Sequence, residues 1–254
     1  LDLDGDGDVD VLAASPGTPH LRWFQNDGAE TFTHKYVHEW TGSTGDKANA
    51  VAVYAADVDG DANMDVLSAS DFSTSRTSDL AWYRNDGTAT PSFTKKQILN
   101  RGSGRRAVVA LDLDGDGDVD VLDASSGTWT VSWHENQEEY NWGRDTSTSP
   151  VPWVTHVVTA SATEAWSVAA RDLDGDGDVD VLVASKNDKT VAWYENLGRV
   201  GYTPRVDFAQ HLIVANDMTT CEDKGSTTDA QGYSCPWYDS YPGDCGSYDD
   251  AYFT

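Results

Sequence analysis

The sequence predicts an all-β protein: four-stranded antiparallel sheets packed face to face as the blades of a propeller. Three observations predict it. A nine-residue aspartate ladder, D-x-D-x-D-x-x-x-D, recurs four times, with its first aspartate at positions 2, 57, 112 and 172. Each ladder is flanked by short β-branched and aromatic runs separated by Gly, Asn, Asp and Ser, which is strand-and-turn composition. No segment carries the 3.6-residue apolar period of a competing helix. A repeat of 55 to 60 residues holding four such runs has the size of one propeller blade.

The four runs follow in a fixed order. A small, alternating apolar run precedes three of the ladders, at Ala50–Tyr54, Arg106–Ala110 and Ala165–Ala169. Its small side chains suit the crowded axis of a propeller. The ladder is the turn, and Val-Leu-x-Ala-Ser follows it at Val11–Ser15, Val66–Ser70, Val121–Ser125 and Val181–Ser185. Next comes an aromatic strand closing on Asn: Trp23–Asn26, Trp82–Asn85, Trp133–Asn136 and Trp193–Asn196. The outermost run is Phe32–Val37, Phe93–Leu99, Trp153–Val158 and Phe208–Val214. The blades are expected at 1–47, 48–104, 105–163 and 164–215. The first lacks its opening strand, so further strands and blades are expected upstream, in a propeller of about seven blades.

Carboxylates at positions 1, 3, 5 and 9 of a tight loop converge on one point and repel one another without a cation between them. A hard ion of calcium's size takes six to eight oxygens at about 2.3–2.6 Å, which these side chains, a carbonyl near position 7 and a water would supply. An EF-hand begins in the same way but needs a bidentate Glu at position 12 and flanking helices. Position 12 here is Ala13, Ser68, Asp123 and Val183, and strand-like sequence surrounds every loop. About four Ca2+ ions, one per loop, are therefore expected, holding each blade's inner hairpin together rather than signalling.

The pattern V-A-x-x-D-L-D-G-D-G-x-x-D-V-L-V-A-S, repeated at about sixty residues, resembles the FG-GAP/VCBS repeat. That repeat builds the propeller of integrin alpha subunits and of many secreted adhesion and glycan-handling proteins. The resemblance spans residue 1 to about residue 214, and implies calcium ligands at Asp2, Asp4, Asp6 and Asp10 in the first loop. In the others it implies Asp57, Asp59, Asp61 and Asp65; Asp112, Asp114, Asp116 and Asp120; and Asp172, Asp174, Asp176 and Asp180. The carbonyls of Asp8, Asn63, Asp118 and Asp178 would complete the shells. Ala165-Trp166 and Ala-Ser stand where the family has Phe-Gly and Gly-Ala-Pro, which marks a divergent subgroup. Ala62 stands where the other loops have Gly, so the second site is expected to be strained or weak.

The bulk numbers narrow the partners. The net charge is −26, from 43 acidic and 17 basic residues, and the ladders alone hold 19 aspartates. Such a balance disfavours nucleic acid and anionic membrane, both of which need basic patches. With 39% hydrophobic residues, including ten Trp and eleven Tyr, the chain has too much core material for disorder. No apolar stretch is long enough to span a membrane, and no basic-then-apolar leader is present, as in a mature or excised product. Cys221, Cys235 and Cys245 fall in an acidic, Tyr- and Gly-rich segment, 216–254. This reads as a small, incomplete disulfide module of an oxidising compartment, and zinc is disfavoured because the close C-x2-C pair is missing. The segment is similar to Cys-rich modules of secreted proteins from algae and related protists, in which more cysteines follow.

His156 and His211 occupy the place of Lys35 and Lys96 in the earlier repeats, so they are expected as exposed strand residues rather than ligands. The recurring Trp of the third strand is expected to pack between blades. Sugar stacking is more credible for Trp142, Trp237, Tyr238 and Tyr241, and the insertions Gln137–Pro152 and Phe72–Asp79 are candidate binding loops. There is no N-x-S/T sequon, no Arg-Gly-Asp and no nucleophile or phosphate-loop motif. Every strong motif thus serves metal and fold. The expectation is a non-enzymatic, secreted, calcium-stabilised module of an adhesion, matrix or filament protein. Its partners would be extracellular proteins, glycans or further copies of itself. A polysaccharide lyase or a lectin is the alternative.

Overall fold

A computed structural model describes residues 1–15, 20–39, 50–71, 79–99, 104–137, 153–199 and 206–214. The three cysteines, the aromatic residues named above as sugar-stacking candidates, and nearly all of both insertions lie outside them. Every regular element among the described residues is a strand, and they form four antiparallel sheets within the compact unit Leu1–Val214.

The first sheet holds β1 (Val11–Ala14), β2 (His20–Asn26) and β3 (Phe32–Glu39) in that order. The second runs β4 (Ala50–Ala56), β5 (Asp65–Ser70), β6 (Leu80–Asn85), β7 (Phe93–Leu99). The third is β8 (Arg105–Leu111), β9 (Asp120–Ser125), β10 (Thr130–Asn136), β11 (Trp153–Thr159). The fourth is β12 (Ala165–Arg171), β13 (Asp180–Ser185), β14 (Thr190–Arg199), β15 (Val206–Val214). All neighbours are consecutive in sequence, so each sheet is a simple meander. This is the all-β, blade-like architecture that the sequence predicts.

The period-2 pleat divides each sheet's side chains between two neighbours. Leu67, Ala69 and Trp82 of the second sheet meet Val108, Ala110 and Val121 of the third. Leu122, Val131 and Trp133, on the other face of the third, meet Val181, Val183 and Tyr194 of the fourth. Leu21 and Trp23 pack in the same way against Val66, Ala81 and Tyr83. Trp23, Trp82 and Trp133 are at most 2% exposed, so these aromatics are core between sheets, as expected. The small innermost strands β4, β8 and β12 lie side by side, in keeping with their Ala-rich composition.

One inter-sheet layer is polar. Asp123, on the face turned to the second sheet, accepts from the Arg105 guanidinium and from His134 Nε2 at 2.8 Å, and His134 Nδ1 meets Thr155 Oγ1 at 3.0 Å. Asp123 and His134 are essentially fully buried and Arg105 nearly so. A buried charge stays only where it is paired in this way. The equivalent positions elsewhere are Ala13, Ser68 or Val183 and Phe24, Tyr83 or Tyr194, so this network distinguishes the third sheet's partner face from the others.

Candidate metal centre

In three sheets the ladder is the loop from the innermost strand to the next, β4 to β5, β8 to β9 and β12 to β13, and in the first sheet it runs into β1. The first aspartate acts as the loop's internal template. Asp2 accepts from Gly5 N at 2.8 Å and Gly7 N at 2.9 Å, and Asp112 accepts from Gly115 N and Gly117 N at the same distances. Asp172 and Asp57 repeat the arrangement with the amides of Gly175 and Gly177 and of Asp61 and Ala62. The fifth-position carboxylates, Asp6, Asp61, Asp116 and Asp176, each accept the backbone N–H two residues on, from Asp8, Asn63, Asp118 and Asp178, at 2.9 Å.

The ninth-position aspartates brace the loop against the strands. One oxygen of Asp10, Asp65, Asp120 and Asp180 accepts the backbone N–H of Leu3, Val58, Leu113 and Leu173; the other accepts that of Asn26, Asn85, Asn136 and Asn196. Desolvation outweighs these bonds at two of the four. Burial pushes Asp65 up to about 7 and Asp120 up to about 8. Burial also raises Asp4, Asp59 and Asp114, reinforced in each case by the carboxylates beside them.

Three carboxylate oxygens come within 4.8 Å of one another in every loop: those of Asp2, Asp4 and Asp6; Asp57, Asp59 and Asp61; Asp112, Asp114 and Asp120; Asp172, Asp174 and Asp180. Positions 1 and 3 take part in all four. Position 5 joins them in the first two loops and position 9 in the last two, so Asp10, Asp65, Asp116 and Asp176 stand just outside these triads. Three of the seventh-position side chains, those of Asp8, Asn63 and Asp178, pack elsewhere. A Cβ on Gly28, Gly87 or Gly198 would sit 2.5–2.9 Å from Asp8, Asn63 or Asp178, which packs these side chains against the turn after the third strand.

The donor set suits a hard cation. It is oxygen throughout, and Asp4 Oδ1, Asp59 Oδ1 and Asp114 Oδ1 are buried with no hydrogen-bond donor among the described residues. Asp114 as a whole is 8% exposed. A calcium ion bound here would supply positive charge to oxygens that no protein group satisfies. The second loop differs in backbone as well as sequence. Ala62 holds φ at +69°, where its counterparts Gly7, Gly117 and Gly177 hold +94°, +98° and +102°. A non-glycine residue in that region is strained, so Ala62→Gly should stabilise the protein by about 1 kcal/mol, read as a raised urea midpoint at constant slope.

Two features of the third strand were not legible beforehand. The closing Asn is an inter-sheet tie: Nδ2 of Asn85, Asn136 and Asn196 donates to the carbonyls of Leu3, Val58 and Leu113 in the preceding sheet, at 2.8, 3.1 and 3.1 Å. The same amides donate to Met64, Val119 and Val179 within their own sheets. The only advance signal was recurrence of Asn in all four repeats. The expected exposed histidines prove to be caps: His156 and His211 stack on Trp133 and Trp193 at 4.4 and 4.5 Å, and bond Glu135 and Glu195 at 2.7 and 2.6 Å. Lys35 takes the same place over Trp23.

No curated protein matches the chain. The family model described as FG-GAP-like repeat matches residues 2–68, 69–122 and 112–183. Such repeats commonly bind calcium and typically form structural or binding modules of extracellular or surface proteins. No helix among the described residues is long and apolar enough to cross a membrane. The matches run through well over half the chain, over all four loops and the first three sheets, and on that ground the protein belongs to the FG-GAP-like repeat family.

Proposed function

We propose that this chain is a calcium-stabilised propeller module of a secreted adhesion, matrix or filament protein, whose work is to hold rigid faces and dock neighbouring chains. The observation that carries the reading is the fourfold recurrence of converging carboxylates, some with buried oxygens that lack a donor. The residues named above in the loops from Asp2 to Asp10, Asp112 to Asp120 and Asp172 to Asp180 serve as the ligand set, and Asp57 to Asp65 form a fourth loop on the same plan. The loops are then tied to the sheets by the ninth-position aspartates and the strand-closing asparagines. Terbium titration read by energy transfer from the buried tryptophans tests it. Saturable luminescence displaced by calcium is the expected result, and no luminescence above that of free terbium would refute it.

Docking is supported by two open faces. Leu3, Val58 and Leu113, at the second loop position, are 2% exposed beneath the following sheet, whereas Leu173 is 47% exposed. On the opposite side Phe32 is 49% exposed, while its counterparts Phe93, Trp153 and Phe208 pack against the preceding sheet. Among the described residues each face therefore presents half of the inter-sheet contact used three times within the chain. A further sheet of the same kind fits either face, and so does a second copy, giving self-association into a filament or coat. Light scattering under non-reducing conditions should show mass rising with concentration, and a single sharp monomer would count against self-association. Glycan arrays and depolymerisation assays on alginate- and pectin-like substrates test the carbohydrate alternative. Activity lost on replacing a His or Lys outside the loops would reverse the choice.

A further inference from the structure

The side chain just before the strand-closing Asn bonds the third position of its own sheet's loop in the first two sheets and is a glutamate in the other two, so its charge runs from neutral to positive to negative. Gln25 donates to Asp4. Arg84 donates through Nε to Asp59 and through Nη2 to Asp61 Oδ2 at 3.2 Å. Glu135 and Glu195 bring a further negative charge to bear on Asp114 and Asp174. Their own positions are fixed by the histidines that cap the tryptophans.

The loops are thus built on one plan with unequal charge. The third loop also receives a cation, as Arg199 of β14 meets Asp114 at 2.9 Å and Asp116 at 3.3 Å, but the buried Glu135 offsets it. The second loop has no such offset. It carries the guanidinium, a neutral Asn63 where the other loops have Asp8, Asp118 and Asp178, and the strained Ala62. Arg84 lies on two of the three carboxylates that converge there.

We propose that Arg84 is the resident cation of the second loop, so that the chain binds three calcium ions and keeps this loop closed with an internal ion pair. The inference rests on the calcium reading above. An ion entering the second loop would have to displace the guanidinium from Asp59 and Asp61 or sit beside it against its repulsion. Calcium sites of extracellular modules bind at about 10⁻⁴–10⁻³ M, so a loss of affinity of about a hundredfold leaves a site of about 10⁻⁴ M nearly empty at millimolar calcium. Among the described residues no cation meets the converging carboxylates of loops one and four; in loop three Arg199 meets one of the three, Asp114, with the acidic Glu135 nearby, whereas in loop two Arg84 meets two of the three.

The test is the number of calcium ions bound by the 254-residue chain after equilibrium dialysis against 1 mM free calcium, counted by elemental analysis. The wild type should bind three and Arg84→Gln four. Should Arg84→Gln fail to fold, two ligand-removing variants decide it: Asp59→Asn should still bind three, while Asp174→Asn should bind two. A wild-type count other than three, or an Arg84→Gln count that stays at three, overturns the inference. So does a lost ion in Asp59→Asn. Zero calcium in every variant would remove the calcium reading itself, which separates the two failures.

Discussion

Chelation of the calcium-loaded protein should lower its melting temperature by about 8–16 °C at neutral pH. The size follows from linkage. A site with a dissociation constant of about 10⁻⁴ M contributes about 1.4 kcal/mol at 1 mM calcium, and three such sites about 4 kcal/mol. For a domain of this size each kcal/mol corresponds to about 2–4 °C. The pH dependence of the calcium-free form supplies a second reading with a definite sign. Asp65 at about 7 and Asp120 at about 8 lie above the unfolded carboxylate value of 3.8, so the folded state binds protons more tightly there. Their contribution is complete below about pH 4 and disappears as the pH rises through 7 and 8. With chelator, the melting temperature should therefore fall between pH 5 and pH 9. With calcium, an ion in the third loop offsets the charge on Asp120, so the fall should shrink to the part that Asp65 contributes. Scanning calorimetry with and without chelator across this range measures both effects. A melting temperature indifferent to chelator at every pH would show that the loops do not depend on the ion.

How much of this was readable in the sequence depends on whether the information is local. The ladders, their glycines and the alternating runs are local, and they place all four strands of a blade to within a few residues. β5, β9 and β13 begin one residue earlier than the Val-Leu-x-Ala-Ser motif because the ninth aspartate already pairs into the ladder, as Asp65 does with Ala56. What the pattern could not show depends on register and on neighbours. The stacking of His156 on Trp133 follows from their being cross-strand partners, and that pairing holds only after the irregularity between Val131 and Ser132 resets the register. The Arg105–Asp123–His134 network joins three strands and looks, in sequence, like three unrelated departures from the repeat. The residue before the closing Asn varies from Gln to Arg to Glu, so a search for repeated residues passes over it. Its position is constant and its identity is not. The third-strand tryptophans could be assigned to the core because they recur once per sheet, a packing need rather than a binding one.

Asn136→Ala should destabilise the protein by about 2–4 kcal/mol, whereas Asn26→Ala should cost about 1 kcal/mol or less. The two residues are the same motif position in different surroundings. Asn136 is 1% exposed, and its amide donates to Val58 in the preceding sheet and to Val119 in its own. Truncation leaves both carbonyls buried without that donor and opens a cavity where two sheets meet, and each effect is costly. Asn26 is half-buried, and among the described residues its amide donates only to Val9, at 3.2 Å, in an exposed setting where water can replace it. Asn136→Asp sharpens the test. It preserves shape and volume but replaces the donor with an acceptor that faces two carbonyls, so it should be at least as damaging as the alanine. If the tie works through its hydrogen bonds, urea midpoints should rank Asn136→Asp at or below Asn136→Ala, and both far below Asn26→Ala. If only side-chain volume mattered, Asn136→Asp would behave as wild type. Equal small losses at positions 26 and 136 would mean that apolar packing alone holds adjacent sheets together. The contacts of Leu3, Val58 and Leu113 beneath the next sheet would then account for the stacking without the asparagines.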